Sequence, residues 1–193
     1  MRIPRIYLPA HLELNSQVEL KEHAFQHVVK VLRLQQGAKI TLFDGQGNAC
    51  SALLQEVNKK NAFAKIDEIF NLNTESNLAI HLGLGLSKGD RMDFAIQKAV
   101  ELGVKEITPL FTKHCVINLD KKRIQKKLLH WQGVIISACE QCGRNVIPTL
   151  NPAINIQDWS EQIYGVCIIL DPLAENNLKS IKPEGNQINL IIG

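Results

Sequence analysis

Three side chains near the end of one long helical pattern could do chemistry together: Glu140, Gln141 and Arg144, with Ser137 one turn earlier. On an α-helix all four fall within an arc of roughly 100°. Arg144 is suited to hold an anionic base or a phosphate, and Glu140 and Gln141 to orient it. A purely structural alternative accounts for two of them. Arg144 can cap the last helical carbonyls and pair with Glu140 at i, i+4, which leaves Gln141 unexplained. Glu140 is a less favourable general base wherever Arg144 holds it ionised.

The element that must carry this cluster is a helix over residues 120–142. Ile124, Leu128, Trp131, Ile135, Ala138 and Cys142 step by four and three to form one apolar stripe, and Gly143 supplies a stop. A second amphipathic helix spans 91–102 and is also closed by a glycine, Gly103. Met92, Ile96 and Ala99 face its buried side, and Arg91, Lys98 and Glu101 lie elsewhere. Lys98 and Glu101 are spaced for a solvated ion pair. Lys88 and Arg91 open a helix whose dipole prefers acids there, a local conflict that points to phosphate binding. Buried strands are expected over 78–84, 107–111, 164–170 and 188–192. The last two are near-continuous apolar runs of the kind buried on both faces. Strands alternating with helices imply a parallel α/β sheet.

The N-terminal part has a different rhythm. Short strands are expected over 2–8, 38–43, 49–57 and 63–70, with a turn at Asp44-Gly45-Gln46-Gly47 and one helix over 22–34. That pattern argues for a small β-barrel. His27, Lys30 and Arg33 lie on the exposed flank of the helix, and with Arg5 on the first strand they can form a basic patch. The polar stretch 71–77 reads as a linker, which sets domains at 1–72 and 73–193.

Charge is concentrated where the motifs are. Residues 76–150 carry eleven Lys and Arg against six acids, whereas residues 151–193 carry two against five. A nucleic-acid partner fits that distribution. Five scattered cysteines do not make a disulfide scaffold, and none is spaced for zinc. Cys139 and Cys142 form a CxxC late on a helix rather than at its opening turn, where a thiol would be activated. No signal peptide or membrane-length apolar run is present, so a cytoplasmic protein is expected. The absence of a GxGxxG or Walker loop counts against a nucleotide-dependent metabolic enzyme.

Longer strings carry a resemblance that spans the whole chain. Residues 1–7, His27 with Val31-Leu-Arg33, and Leu42-Phe-Asp-Gly45 resemble an N-terminal PUA-like RNA-binding barrel. Lys88-Gly-Asp-Arg-Met-Asp93, Gln97-Lys98, Glu101-Leu-Gly-Val104, Ile107-Thr-Pro109, Trp131 and Ala138-Cys-Glu-Gln-Cys-Gly-Arg144 resemble a methyltransferase core. The whole is similar to the RsmE family of 16S rRNA uridine-N3 methyltransferases, of the SPOUT class.

That resemblance implies a PUA-like β-barrel followed by a trefoil-knot α/β domain. It implies S-adenosyl-L-methionine as cofactor, 16S rRNA of the small ribosomal subunit as partner, and a homodimer. Glu140, Gln141 and Arg144 would be catalytic. Leu170, Asp171, Pro172 and Gly193 would hold the cofactor, and Arg5, His27, Arg33, Lys88, Arg91 and Lys98 the RNA. The family continues past the position of Gly193 with Pro-Glu-Gly-Gly, so the C-terminal part of the knot is expected to be missing. Residues 1–193 alone are then expected to form no knot, bind no cofactor and transfer no methyl group. An RNA-binding module without catalysis is the competing expectation.

Overall fold

The computed structural model describes residues 3–70, 73–113, 121–171, 173–174, 178–181 and 185–193. It divides into two units, Met1–Glu75 with Cys139–Ile147, and Ser76–Ala138 with Pro148–Gly193.

The first unit is built on a five-stranded sheet of β1 (Arg5–Tyr7), β2 (Gln17–Leu20), β3 (Lys39–Phe43), β4 (Ala49–Val57) and β5 (Ala62–Phe70), in the order β1-β3-β4-β5-β2. β1 runs parallel to β3, and the remaining pairs are antiparallel. Period-2 alternation explains the strands: Ala62, Ala64 and Ile66 point into the core, whereas Lys65 and Asp67 are exposed. Asp44 sets the β3–β4 turn, its Oδ1 accepting from the N–H groups of Gln46 (2.7 Å) and Asn48 (3.1 Å).

The helix expected over 22–34 is corrected. Only α1 (Glu22–Phe25) is α-helical, and Gln26–Val31 then winds as a wider π-type turn. In it the Leu32 N–H reaches five residues back to the His27 carbonyl, at 2.9 Å. The segment keeps Ala24, Phe25 and Val28 in the core and ends at Arg33 with φ +53°, a left-handed conformation unusual for arginine.

The second unit is a six-stranded sheet in which every pair is parallel. Its strands are β6 (Ala79–Gly85), β7 (Glu106–Phe111), β8 (Thr149–Leu150), β9 (Ile154–Asn155), β10 (Val166–Ile169) and β11 (Gln187–Ile192). The order is β10-β11-β6-β7-β8, with β9 also against β7. The helices are α2 (Asp90–Glu101), α3 (Lys121–Cys142) and α4 (Ile156–Gln162).

Both glycine stops hold, with φ +92° at Gly103 and +97° at Gly143. At the end of α2, Gly103 N–H bonds the Val100 carbonyl and Val104 N–H the Ala99 carbonyl, both at 3.0 Å, a Schellman closure. Met92, Ile96 and Ala99 are buried, as their spacing requires, and so are Trp131, Ile135 and Ala138 of α3.

β10 and β11 depart from the expectation of strands buried on both faces. β10 is an edge strand that alternates half-buried with exposed residues, and Ile169 is 64% exposed. β11 lies inside the sheet, yet only Asn189 within it is fully buried.

Gly83 is a packing glycine. A Cβ there would lie 2.8 Å from Leu110 Cδ1 and 2.9 Å from the Trp159 ring. Gly83→Ala should therefore destabilise the protein by ~1–3 kcal/mol through overpacking. Urea unfolding measures this, and an unchanged midpoint would show that α4 yields without cost.

Candidate nucleic-acid and cofactor site

The last turn of α3 and the loop after it belong to the first unit, where they form a dense polar cluster. Arg144 is buried. Its guanidinium grips Glu75 through both carboxylate oxygens, Nε to Oε1 at 3.1 Å and Nη2 to Oε2 at 2.5 Å. The Arg144 carbonyl accepts from Arg5 Nη2 at 3.3 Å, and the same nitrogen donates to Asn145 Oδ1 at 2.6 Å. The Arg5 guanidinium also lies over the Phe43 ring, 5.2 Å from its centre.

Glu140 is equally enclosed. Its Oε1 accepts the Tyr7 N–H at 3.0 Å, and its Oε2 lies 3.0 Å from His27 Nδ1. The expected pairing of Arg144 with Glu140 is thus replaced by Arg144 with Glu75 and Glu140 with His27 and β1. Glu75 was read as linker. Its role has no local signal, because its partner is 69 residues away. Asn145 and the Tyr7 N–H were missed for the same reason.

The structure therefore brings Arg5, His27, Glu140 and Arg144 together. Gln141, the neighbour of Glu140 on the helix, is exposed. Arg33 is exposed just past the π turn, and His27 is half-buried rather than on a free flank.

In the second unit Lys88 and Arg91 are exposed, and no ion pair ties them to another described residue. Lys98 makes the anticipated surface pair with Glu101 at 2.7 Å and lies over the Phe94 ring. The pair is exposed enough for water to screen it. It holds the Glu101 carboxyl below its ordinary range, chiefly through the hydrogen bond from Lys98.

Three of the residues expected to hold the cofactor lie at the carboxyl ends of the parallel strands. Leu170 and Asp171 follow β10, and Gly193 follows β11. Asp171 is held in a turn, with its Oδ1 accepting from Leu173 N–H at 2.8 Å and its carbonyl from Ala174 N–H at 3.1 Å. A cavity of about 520 Å³ is lined by Ile169, Leu170, Asp171, Leu178 and their neighbours. At the end of β6, a Cβ on Gly85 would meet Gly193 Cα at 3.0 Å, so two backbones approach each other there without side chains between them. Pro172 lies outside the described residues.

The Cys139 thiol of the CxxC is buried rather than activated. Burial pushes Cys139 up to about 12, and Cys50 up to about 11. Cys115 lies outside the described residues.

Residues 74–193 match the RNA methyltransferase domain family, and residues 20–67 the RNA methyltransferase PUA domain family. Ribosomal RNA small subunit methyltransferase E of Buchnera aphidicola from Schizaphis graminum is 36% identical over 196 residues, covering all of this chain and 79% of the relative. The protein of the same name from Rickettsia conorii is 32% identical over 200 residues, covering all of this chain and 78% of the relative. Among solved structures, a Legionella pneumophila protein with the bound cofactor SAM superposes with a TM-score of 0.96 at 39% identity, covering all of this chain and 80% of that one. Ribosomal RNA small subunit methyltransferase E from Neisseria gonorrhoeae bound to S-adenosyl methionine gives 0.91 at 37% identity, covering 98% of this chain and 79% of that one. With matches that run through both units at this level of identity, the chain belongs to the ribosomal RNA small subunit methyltransferase E family.

Proposed function

We propose that the protein methylates N3 of a uridine in 16S rRNA of the small ribosomal subunit, with S-adenosylmethionine as methyl donor. The observation that carries this reading is the cavity along β10 and the turn that follows it, at the carboxyl side of the parallel sheet, where open α/β sheets bind ligands. Its size and its apolar Ile169 and Leu170 walls fit an adenosine-sized molecule. Separately, Gly85 approaches Gly193 without side chains between them at the same ends of β6 and β11. Leu170, Asp171 and Gly193 would hold that molecule, joined by Pro172. When bound, the cofactor supplies a methyl group made electrophilic by the sulfonium.

The chain's own work is placement. Uracil N3 must lose its proton and approach in line, so the base has to be held and its developing negative charge met by donors. Gln141, exposed on the last turn of α3, is suited to the polar edge of the base. Glu140 and Arg144 are positioning residues in this reading, because both are buried, Glu140 Oε1 accepts the Tyr7 N–H, and the Arg144 guanidinium is held by Glu75. Exposed Lys88 and Arg91, and Lys98 beside them, take phosphates on the second unit, and Arg5, His27 and Arg33 take phosphates on the first. The acting form is a homodimer in the cytoplasm, where its rRNA substrate is made.

Small subunits from cells lacking this modification, incubated with the protein and methyl-labelled cofactor, should yield labelled 3-methyluridine on nucleoside mass spectrometry. Label in another nucleoside would overturn the N3 assignment. RNA binding without any label would instead agree with the expectation that residues 1–193 alone transfer no methyl group, and would leave the chain an RNA-binding module. Lys88→Ala and Arg91→Ala should each flatten the logarithmic salt dependence of RNA binding by about one unit. An unchanged slope in both would remove that surface from the RNA path.

A further inference from the structure

A second cavity, of about 540 Å³, opens at the amino ends of the same parallel strands, on the face covered by α4. His81 stands opposite Glu106 on one side and Asn189 on the other, in register across β7, β6 and β11. Hydrogen-bond direction fixes the chemistry here. The Asn151 amide donates to Glu106 Oε1 (2.6 Å) and to Thr108 Oγ1 (2.9 Å). The Trp159 indole, which can only donate, reaches His81 Nε2 at 3.4 Å. Nε2 is therefore an acceptor, and the Thr108 hydroxyl, 2.7 Å away, donates to it as well. The ring proton then sits on Nδ1 and the imidazole is neutral. Burial, which holds its pKa below the usual value against the opposing pull of Glu106, agrees.

Among the described residues that line the cavity the Glu106 carboxylate is the charged group, and there is no lysine or arginine. The cavity also contains an orphan. Asn189 is fully buried and donates its amide N–H to the Tyr164 carbonyl at 2.7 Å, yet its Oδ1 has no hydrogen-bond partner. A buried carbonyl oxygen without a donor is a rarity that calls for an occupant. Ile154 and Ile163 supply apolar wall.

The geometry points to a binding site for a small organic cation, a guanidinium or ammonium head on a short apolar stem. The head neutralises Glu106 and the stem lies along Ile154 and Ile163, and the buried Asn189 side chain turns toward the cavity for its Oδ1 to accept from the head. The methyl-transfer reading uses none of these residues. It places its cofactor at the opposite ends of the strands.

Butylguanidine and butylurea, which share a shape and differ in charge, test this by isothermal titration against the whole chain. Butylguanidine should bind one-to-one with saturable heat at millimolar concentration or below, and butylurea about tenfold or more weaker. Glu106→Gln keeps the size and the acceptor for Asn151, so its thermal midpoint should be retained and its preference for the cation lost. Ala153→Arg, which places a fixed cation in the wall, should abolish binding without touching Glu106. Saturating S-adenosylmethionine should leave the titration unchanged. No saturable heat, equal binding of the urea, a preserved preference in Glu106→Gln, or displacement by S-adenosylmethionine would each overturn the site.

Discussion

Glu75→Ala should cost ~3–5 kcal/mol of unfolding free energy, because it leaves the Arg144 guanidinium buried without its bidentate partner. Both side chains are about nine-tenths enclosed, at 8% and 12% exposure, so water cannot replace the lost carboxylate without the loop opening. Arg144→Met should be milder, since the methionine fills the space of the arginine stem and removes the charge that needs compensation, although it leaves the enclosed Glu75 carboxylate without that partner. The double variant should be more stable than Glu75→Ala alone. Urea unfolding of the three proteins decides the matter. A loss below about 1 kcal/mol in Glu75→Ala would show that the pair behaves as a screened surface interaction. In the methyl-transfer assay the same variant should lose turnover more than RNA affinity, because it loosens the turn that presents Gln141 and spares the exposed lysines.

Trp131→Ala should be as costly, ~3–5 kcal/mol, for a different reason. Trp131 is the largest of the fully buried side chains, at 2% exposure in the middle of α3. Truncation removes its transfer free energy and leaves a void that Ile135 and Ala138, on the same stripe, are too short to fill. Trp131→Phe should recover most of the loss, because no hydrogen bond from the indole nitrogen is forfeited. If the alanine variant unfolds within about 1 kcal/mol of wild type, the middle of α3 is not the anchor that its burial indicates.

What could be read from the chain beforehand follows the range of the forces involved. α2, α3, β4 and β7 were legible because their signals are local: apolar residues at helical or alternating spacing, and a glycine at each helix end. The Gly103 closure lies within six consecutive residues, Ala99–Val104. β2 was not legible, because Gln17–Leu20 is four residues of edge strand whose identity rests on pairing with β5, some 45 positions onward. β8 and β9 are two residues each, and α4 has two turns, so none offers a period to detect. The π turn at Gln26–Val31 escaped because its sequence is an ordinary amphipathic pattern, and only burial of Val28 with His27 set against Glu140 selects the wider winding.

The site divides in the same way. Glu140, Gln141 and Arg144 were found by spacing on one helix, and Leu170, Asp171 and Gly193 by resemblance. Their division into two enclosed residues and an exposed one depends on Glu75, Tyr7 and His27, which come from distant parts of the chain. No helical wheel contains that information.

The place of β11 has a consequence for how the protein is made. It lies between β10 and β6, pairing with a strand synthesised about a hundred residues earlier. At typical synthesis rates β6 emerges on the order of ten seconds before its inner neighbour. Through that interval β6 can pair with β7 on one side only, and its other edge, Ala79-Ile-His-Leu-Gly-Leu-Gly85, is a ladder of unmatched backbone donors and acceptors. His81 and the two glycines make that edge a poorer template for its own kind than an unbroken aliphatic run would be. The first sheet completes within residues 5–70, so it can form during the same interval. The nascent chain then carries one finished sheet beside one waiting for its middle strand, and it is in this window that a cell's chaperones would find it.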